Sequence, residues 1–134
     1  MKPPKVLIVD DEREFAATLA ERLNLRKFEA TAVFCAEDGL TLIRTEESPP
    51  DVVLLDLKMP SIDGKSALVA IKRYDPSIEV IIITGHGDSK DVADIGRAAF
   101  DYIMKPVDIA DLVGKITQAA AKRRRGQGVG GESA

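Results

Sequence analysis

Five short runs of aliphatic and β-branched residues, each followed by a segment with helical apolar spacing, limit what this chain can fold into. The strand-like runs are Lys5–Val9, Glu29–Phe34, Asp51–Leu55, Ile78–Ile83 and Tyr102–Met104. Three of them are almost continuously apolar, as strands buried on both faces of a parallel sheet are. Glu12–Leu25 sets Phe15, Leu19 and Leu23 on one helical face. Ala36–Glu47 stops at Ser48-Pro49-Pro50, because proline cannot continue a helix. A third helix is predicted from Asp63 or Gly64 to Tyr74, ending at Asp75-Pro76, and a fourth over Ser89–Phe100 with Val92, Ile95 and Ala99 aligned. The last, Asp108 to about Arg124, opens with an Asp-x-x-Asp start and turns Ile109, Leu112, Val113, Ile116 and Ala120 inward. Right-handed crossovers then place helices on both faces of one parallel sheet, an α/β fold.

The 134 residues amount to one domain, and 45% apolar with 31% charged residues is globular composition rather than that of a disordered chain. No apolar stretch approaches the roughly 20 residues of a membrane-spanning helix. Val6–Val9 is too short for the apolar core of a signal peptide, so a cytoplasmic protein with no membrane partner is expected. The single cysteine, Cys35, excludes an internal disulfide and a Cys-based zinc site, and is expected to be small and half-buried after the second strand. One histidine, His86, makes triad chemistry improbable. Lys122–Ala134 holds four basic residues and one acid, Glu132, which leaves 15 basic and 21 acidic residues, net −6, in 1–121. Such an acidic body argues against direct nucleic-acid binding by this domain. Lys122–Arg125 reads as solvated cations finishing the last helix, where they complement its dipole, and Gly126–Ala134 as a flexible tail. The expected organisation is one domain over 1–121 and a basic, then Gly-rich tail over 122–134.

Ligands of parallel sheets bind at the carboxyl ends of the strands. The first strand runs into Asp10, Asp11 and Glu12; the third ends in Asp56, the fourth in Thr84, the fifth in Lys105-Pro106. Carboxylates, a hydroxyl and an ammonium thus converge on one edge. Aspartates held that close repel each other unless a cation lies among them. An all-oxygen set with few protein ligands suits Mg²⁺ rather than a Ca²⁺ cage. A carboxylate there can act as nucleophile toward a phosphoryl group and give an acyl phosphate.

The motifs Val9-Asp10-Asp11-Glu12, Leu54-Leu55-Asp56-Leu57-Lys58-Met59-Pro60, Ile62-Asp63-Gly64, Ile83-Thr84-Gly85 and Tyr102-Ile103-Met104-Lys105-Pro106 cover the chain from about Lys5 to Ala121. In order and spacing they resemble the receiver domain of response regulators in two-component signalling. The resemblance implies a flavodoxin-like doubly wound sheet of five parallel strands, order 2-1-3-4-5, with five helices. It implies that Asp56 accepts a phosphoryl group from a sensor histidine kinase or a histidine phosphotransfer protein. Asp11, Asp56 and the backbone carbonyl of Lys58 would ligate Mg²⁺, with Asp10 holding metal-bound water. Thr84 and Lys105 would contact phosphoryl oxygens, Gly85 would leave the donor a path, and Lys105–Pro106 would be cis. Thr84 and Tyr102 would form a switch that reshapes the surface of Ser89–Phe100, the fifth strand and the last helix. That surface would serve a downstream protein, an output domain or a phosphorylation-dependent homodimer. Such a domain assists its own phosphorylation and dephosphorylation and is not a turnover enzyme. Ser61 departs from the glycine frequent in that turn, and Lys58 and His86 flank the site where they could set water access.

Two other classes compete. An Mg²⁺-dependent aspartyl phosphatase of the haloacid-dehalogenase type would place its two aspartates two residues apart after one strand and need a further domain. A flavodoxin-like flavin binder would need a Ser/Thr/Gly-rich first loop, where Asp10-Asp11-Glu12 would repel a phosphate. Within the signalling class, Thr84-Gly85-His86-Gly87-Asp88 resembles receivers attached to DNA-binding transcription activators, so the receiver part of a longer regulator is the second expectation.

Overall fold

The computed structural model describes residues 2–57, 59, 64–85, 95 and 98–133, with backbone alone for 127–133. Five parallel strands, β1 (Lys5–Val9), β2 (Glu29–Val33), β3 (Val52–Leu55), β4 (Glu79–Thr84) and β5 (Asp101–Met104), form one sheet in the order β2-β1-β3-β4-β5. This is the α/β topology expected. Every residue of β3 and β4 is buried, while β2 and β5 at the edges are only partly covered.

Four helices are present among the described residues: α1 (Arg13–Leu25), α2 (Ala36–Thr45), α3 (Gly64–Tyr74) and α4 (Ile109–Ser133). The alternation of side chains along the strands splits the core in two. Val6, Ile8, Leu54, Ile81 and Ile83 face α1 and α4, whereas Leu7, Val9, Val53, Leu55 and Ile82 face α2 and α3. Ile95 and Ala99 are buried with α2 and α3. They lie on the stripe expected for the helix over Ser89–Phe100, most of which is outside the described residues.

The local sequence accounts for the ends of these elements. Cys35 is half-buried and caps α2, its Sγ accepting from the Asp38 amide at 3.5 Å. Past α1, Lys27 takes φ 68°, and the Phe28 amide returns to the Leu23 carbonyl at 3.2 Å, closing the helix in the way a glycine usually does. The Asn24 side chain then accepts from the Ala30 amide and donates to the Ala30 carbonyl, at 2.8 and 3.1 Å, which fixes the entry into β2.

Two features differ from the sequence reading. The cations that end α4 are not all solvated: Arg123 is 6% exposed and pairs with Asp51 at 2.9 Å and Asp75 at 3.4 Å. Arg124 binds Asp51 at 3.1 Å and donates to the carbonyls of Lys2 and Pro3. The helix also extends to Ser133 rather than to about Arg124. That extension holds four glycines, which favour helix poorly, and the packing of the described residues gives no account of it.

Candidate functional site

The carboxyl ends of β1, β3, β4 and β5 meet at one edge of the sheet. Asp10, directly after β1, is 2% exposed, and Asp56, directly after β3, is 5% exposed. Their strands are in register, so the Asp56 amide donates to the Val9 carbonyl at 3.0 Å and sets the two side chains next to each other. Asp11 is exposed beside them, and one carboxylate oxygen from each of Asp10, Asp11 and Asp56 lies within 4.8 Å of the other two. Asp10 is oriented on both oxygens. Oδ1 accepts from the Glu12 amide at 2.9 Å, and Oδ2 faces the Lys105 ammonium at 2.9 Å.

Lys105 follows β5, and its amide donates to the Thr84 carbonyl at 2.9 Å, so β4 and β5 end together. Thr84 is 3% exposed. The Lys105–Pro106 bond is cis, as the resemblance implied. The Lys105 ammonium also bonds the Glu12 carboxylate and stands 4.3 Å from the centre of the Phe15 ring. Burial pulls this ammonium toward deprotonation, but the bonds to Glu12 and Asp10 and the charges of Asp10 and Asp56 outweigh it. Its pKa lies above the ordinary lysine value.

Gly64 opens α3 against the floor of the site. A Cβ there would stand 2.5 Å from the Leu57 Cα and 2.9 Å from the Asp56 carbonyl oxygen, so the helix start approaches the Asp56 backbone only because the residue is glycine. At Gly85 a Cβ would meet only the Lys105 Cδ, at 3.8 Å. Asp10, Asp11, Asp56, Thr84 and Lys105 are thus all at the predicted edge. Lys58, Ser61 and His86 lie outside the described residues.

Phe15, which the apolar spacing of α1 sets on one face with Leu19 and Leu23, is half-buried, and its ring lies under the Lys105 ammonium. Beside it a groove of about 750 Å³ runs between α1 and the segment after Lys105, lined by Phe15, Thr18, Leu19, Pro106, Val107 and Ile109 among others. The only sequence trace of that groove is Phe15 at the start of the apolar stripe, where a ring near the strand ends has little core left to enter.

Residues 6–117 match the family described as the response regulator receiver domain, and the chain belongs to that family. It is 38% identical over 126 residues to the transcriptional regulatory protein PrrA of Mycobacterium tuberculosis, covering 92% of this chain and 52% of that protein. The chain therefore spans about half the length of that curated relative. It is also 38% identical over 120 residues to the chemotaxis protein CheY of Listeria monocytogenes, covering 88% of this chain and 98% of that one. Among solved structures, a CheY-like receiver domain protein from Methanospirillum hungatei superposes with a TM-score of 0.85 at 27% identity, covering 92% of this chain and 98% of that chain. As a receiver domain of two-component phosphorelay signalling, the chain carries the acidic cluster typical of the family's metal site. Receiver domains partner with histidine kinases and are generally not turnover enzymes.

Proposed function

We propose that the chain takes a phosphoryl group onto Asp56 from the phosphohistidine of a sensor kinase or histidine phosphotransfer protein, and signals through the changed surface. The observation that carries this reading is the convergence of three carboxylates within 4.8 Å, two of them on buried residues, with the Lys105 ammonium against them. The oxygen-only set with an exposed side fits a hard divalent ion that keeps water ligands. Asp10, Asp11 and Asp56 are the described residues that would hold Mg²⁺, with the Lys58 carbonyl added by the resemblance. When bound, the ion neutralises charge gathering on the transferred phosphoryl oxygens.

A carboxylate oxygen of Asp56 attacks phosphorus as the phosphorus–nitrogen bond of the donor breaks, and the electron pair leaves with the imidazole. Lys105 gives its charge to one phosphoryl oxygen, leaving Glu12 to solvent, and the Thr84 hydroxyl donates to another. Phe15 keeps the ammonium close by while it changes partners. The groove beside Phe15 opens next to Lys105 and would receive the donor protein. Thr84, drawn toward the phosphoryl group, leaves room for the Tyr102 ring. The surface of residues 89–100, β5 and α4 then changes for a downstream protein or a second copy of the chain. A cytoplasmic location belongs to the same proposal.

Output through an attached DNA-binding part is the second reading. It is kept because the match reaches 52% of PrrA, whose name is that of a transcriptional regulatory protein. Incubation with Mg²⁺ and acetyl phosphate should add one phosphoryl group, mapped by peptide mass spectrometry to Asp56 and absent from Asp56→Asn. Labelling of another residue, or unchanged labelling of Asp56→Asn, overturns the reading.

A further inference from the structure

Two carboxylates of unlike exposure hold the Lys105 ammonium. Buried Asp10 takes it at 2.9 Å on Oδ2, and Glu12, its side chain 63% exposed, takes it from the solvent side. The Glu12 amide donates to the other oxygen of Asp10 at 2.9 Å, so the three residues close a ring of bonds. Glu12 is also the N-cap of α1, with φ −78° and ψ 91°, and its carbonyl accepts from the Ala16 amide at 2.9 Å. A short acid at that position bonds the free amides of the first turn. Glu12 makes no such bond and reaches Lys105 instead. Phe15, three residues on, sets its ring 4.3 Å from the same ammonium. The first turn of α1 therefore grips Lys105 by two side chains of different character. A ring can keep a cation whatever anion that cation bonds, whereas a carboxylate repels a second anion brought to it.

We propose that Glu12 is a positioning residue, a latch that holds Lys105 toward α1 until a phosphoryl oxygen displaces it, and so slows the loading of Asp56. The inference rests on the reading of Asp56 as phosphoacceptor and adds to it a residue that sets the rate. Asp10 is fixed and buried and stays with Lys105 on the inner side, so Glu12 is the partner that gives way. Its release is easy, because the freed carboxylate passes into water and the bond given up is that of an exposed pair. Both of its backbone bonds, to Asp10 and Ala16, belong to main-chain atoms and survive a change of side chain.

The test compares the parent with Glu12→Gln and Glu12→Asp at saturating Mg²⁺. Aspartate keeps the charge but is one methylene shorter, and at an N-cap it turns to the helix amides. Acetyl phosphate labelling of Asp56, followed by intact-mass spectrometry, should be about threefold faster in both variants. In the metal-free, unphosphorylated proteins the side-chain ammonium NMR signal of Lys105, assigned by its loss in Lys105→Met, should shift in both variants. After loading with beryllofluoride, a phosphoryl mimic, that signal should coincide in all three proteins, because Glu12 has let go. Faster labelling in Glu12→Gln alone reports charge repulsion of the donor and overturns the latch. Slower labelling in either variant, or a Lys105 signal that does not shift, overturns it too. So does a difference at Lys105 that persists after loading. Equal rates in all three proteins overturn the latch alone, whereas no labelling of Asp56 in any of them overturns the phosphoacceptor reading and the latch with it.

Discussion

Among the described residues, Lys105 brings the ammonium that offsets the carboxylates of Asp10, Asp11 and Asp56. Two unit charges about 5 Å apart repel by about 3 kcal/mol at an effective dielectric of 20, less where water and salt screen them. Lys105 faces Asp10 directly, whereas exposed Asp11 adds charge to the same cluster. Asp11→Asn should therefore raise the stability of the metal-free protein by on the order of 1 kcal/mol, and remove the rise in Tm that Mg²⁺ gives the parent. A metal-free mutant that melts below the parent would contradict the repulsion. Lys105→Met should act in the other direction, lowering metal-free stability near pH 7 by about 2 kcal/mol, because it leaves Asp10 buried without its cation. The pH dependence follows from the raised pKa of Lys105. The stabilisation is complete below the ordinary lysine value of about 10.4 and is lost as pH rises through the higher folded value. Thermal melts of both proteins from neutral to strongly alkaline pH should converge only at the alkaline end; a gap that closes near neutrality would point to a different partner for the charge.

At Arg123 and Arg124, α4 is fastened to the opposite edge of the sheet by a second ion network. Arg123 reaches Asp51, next to β3, and Asp75, just past α3, while Arg124 takes the second oxygen of Asp51. Asp51 Oδ2 also accepts from the Lys5 amide at 3.0 Å, so β1, β3 and α4 share one carboxylate. Removing Arg123 leaves buried Asp51 with Arg124 and the Lys5 amide alone and takes one cation from Asp75, and Arg123→Ala should cost about 2 kcal/mol in urea unfolding at pH 7. Burial raises the Asp75 carboxyl, but Ser77 and Arg123 outweigh that and hold it below the usual carboxylate range. Its contribution is present above about pH 3.9 and lost as pH falls through the lower folded value, so the deficit of Arg123→Ala should shrink in acid. A cost under 1 kcal/mol, the usual value of an exposed pair, would mean that the clamp is open in solution. No local pattern marks this network, because Arg123 lies 72 residues from Asp51 and 48 from Asp75. From sequence, its cations look like those of any helix end. Strands and helices were legible because their periods are local, and the site was legible because parallel strands bring all their carboxyl ends to one edge. Phe15 falls between the two cases: its spacing marks a core face, and only the position of Lys105, 90 residues later, gives its ring another use.

In the molecule as a whole, the sheet separates a groove beside α1 from one between α2 and α3, and carries Asp56 at the edge between its faces. On the proposed route a signal from Asp56 crosses β4 and β5, whose register pairs Ile82 with Tyr102 and Thr84 with Met104. Tyr102 packs, partly buried, against the core beneath α2 and α3, the same core that holds Ile95 and Ala99. Burial and the nearby Asp101 charge keep its hydroxyl protonated, with a pKa above the ordinary tyrosine value, so the ring can turn without a change of charge. Thr84, buried at the end of β4, carries a hydroxyl able to answer a new anion at Asp56. A few kcal/mol of added hydrogen bonding to a phosphoryl oxygen suffices to make a minor arrangement the major one. Thr84→Ala should therefore still load beryllofluoride, a phosphoryl mimic, on Asp56 in the presence of Mg²⁺, because it retains Lys105 and all three carboxylates. Its backbone NMR spectrum should lose the shifts that loading produces in the parent around Tyr102 and residues 95–100. If loading perturbs Tyr102 equally in both proteins, the coupling does not run through the Thr84 hydroxyl. The shift of α3 through Gly64, whose start rests on the Asp56 carbonyl, then becomes the path to examine.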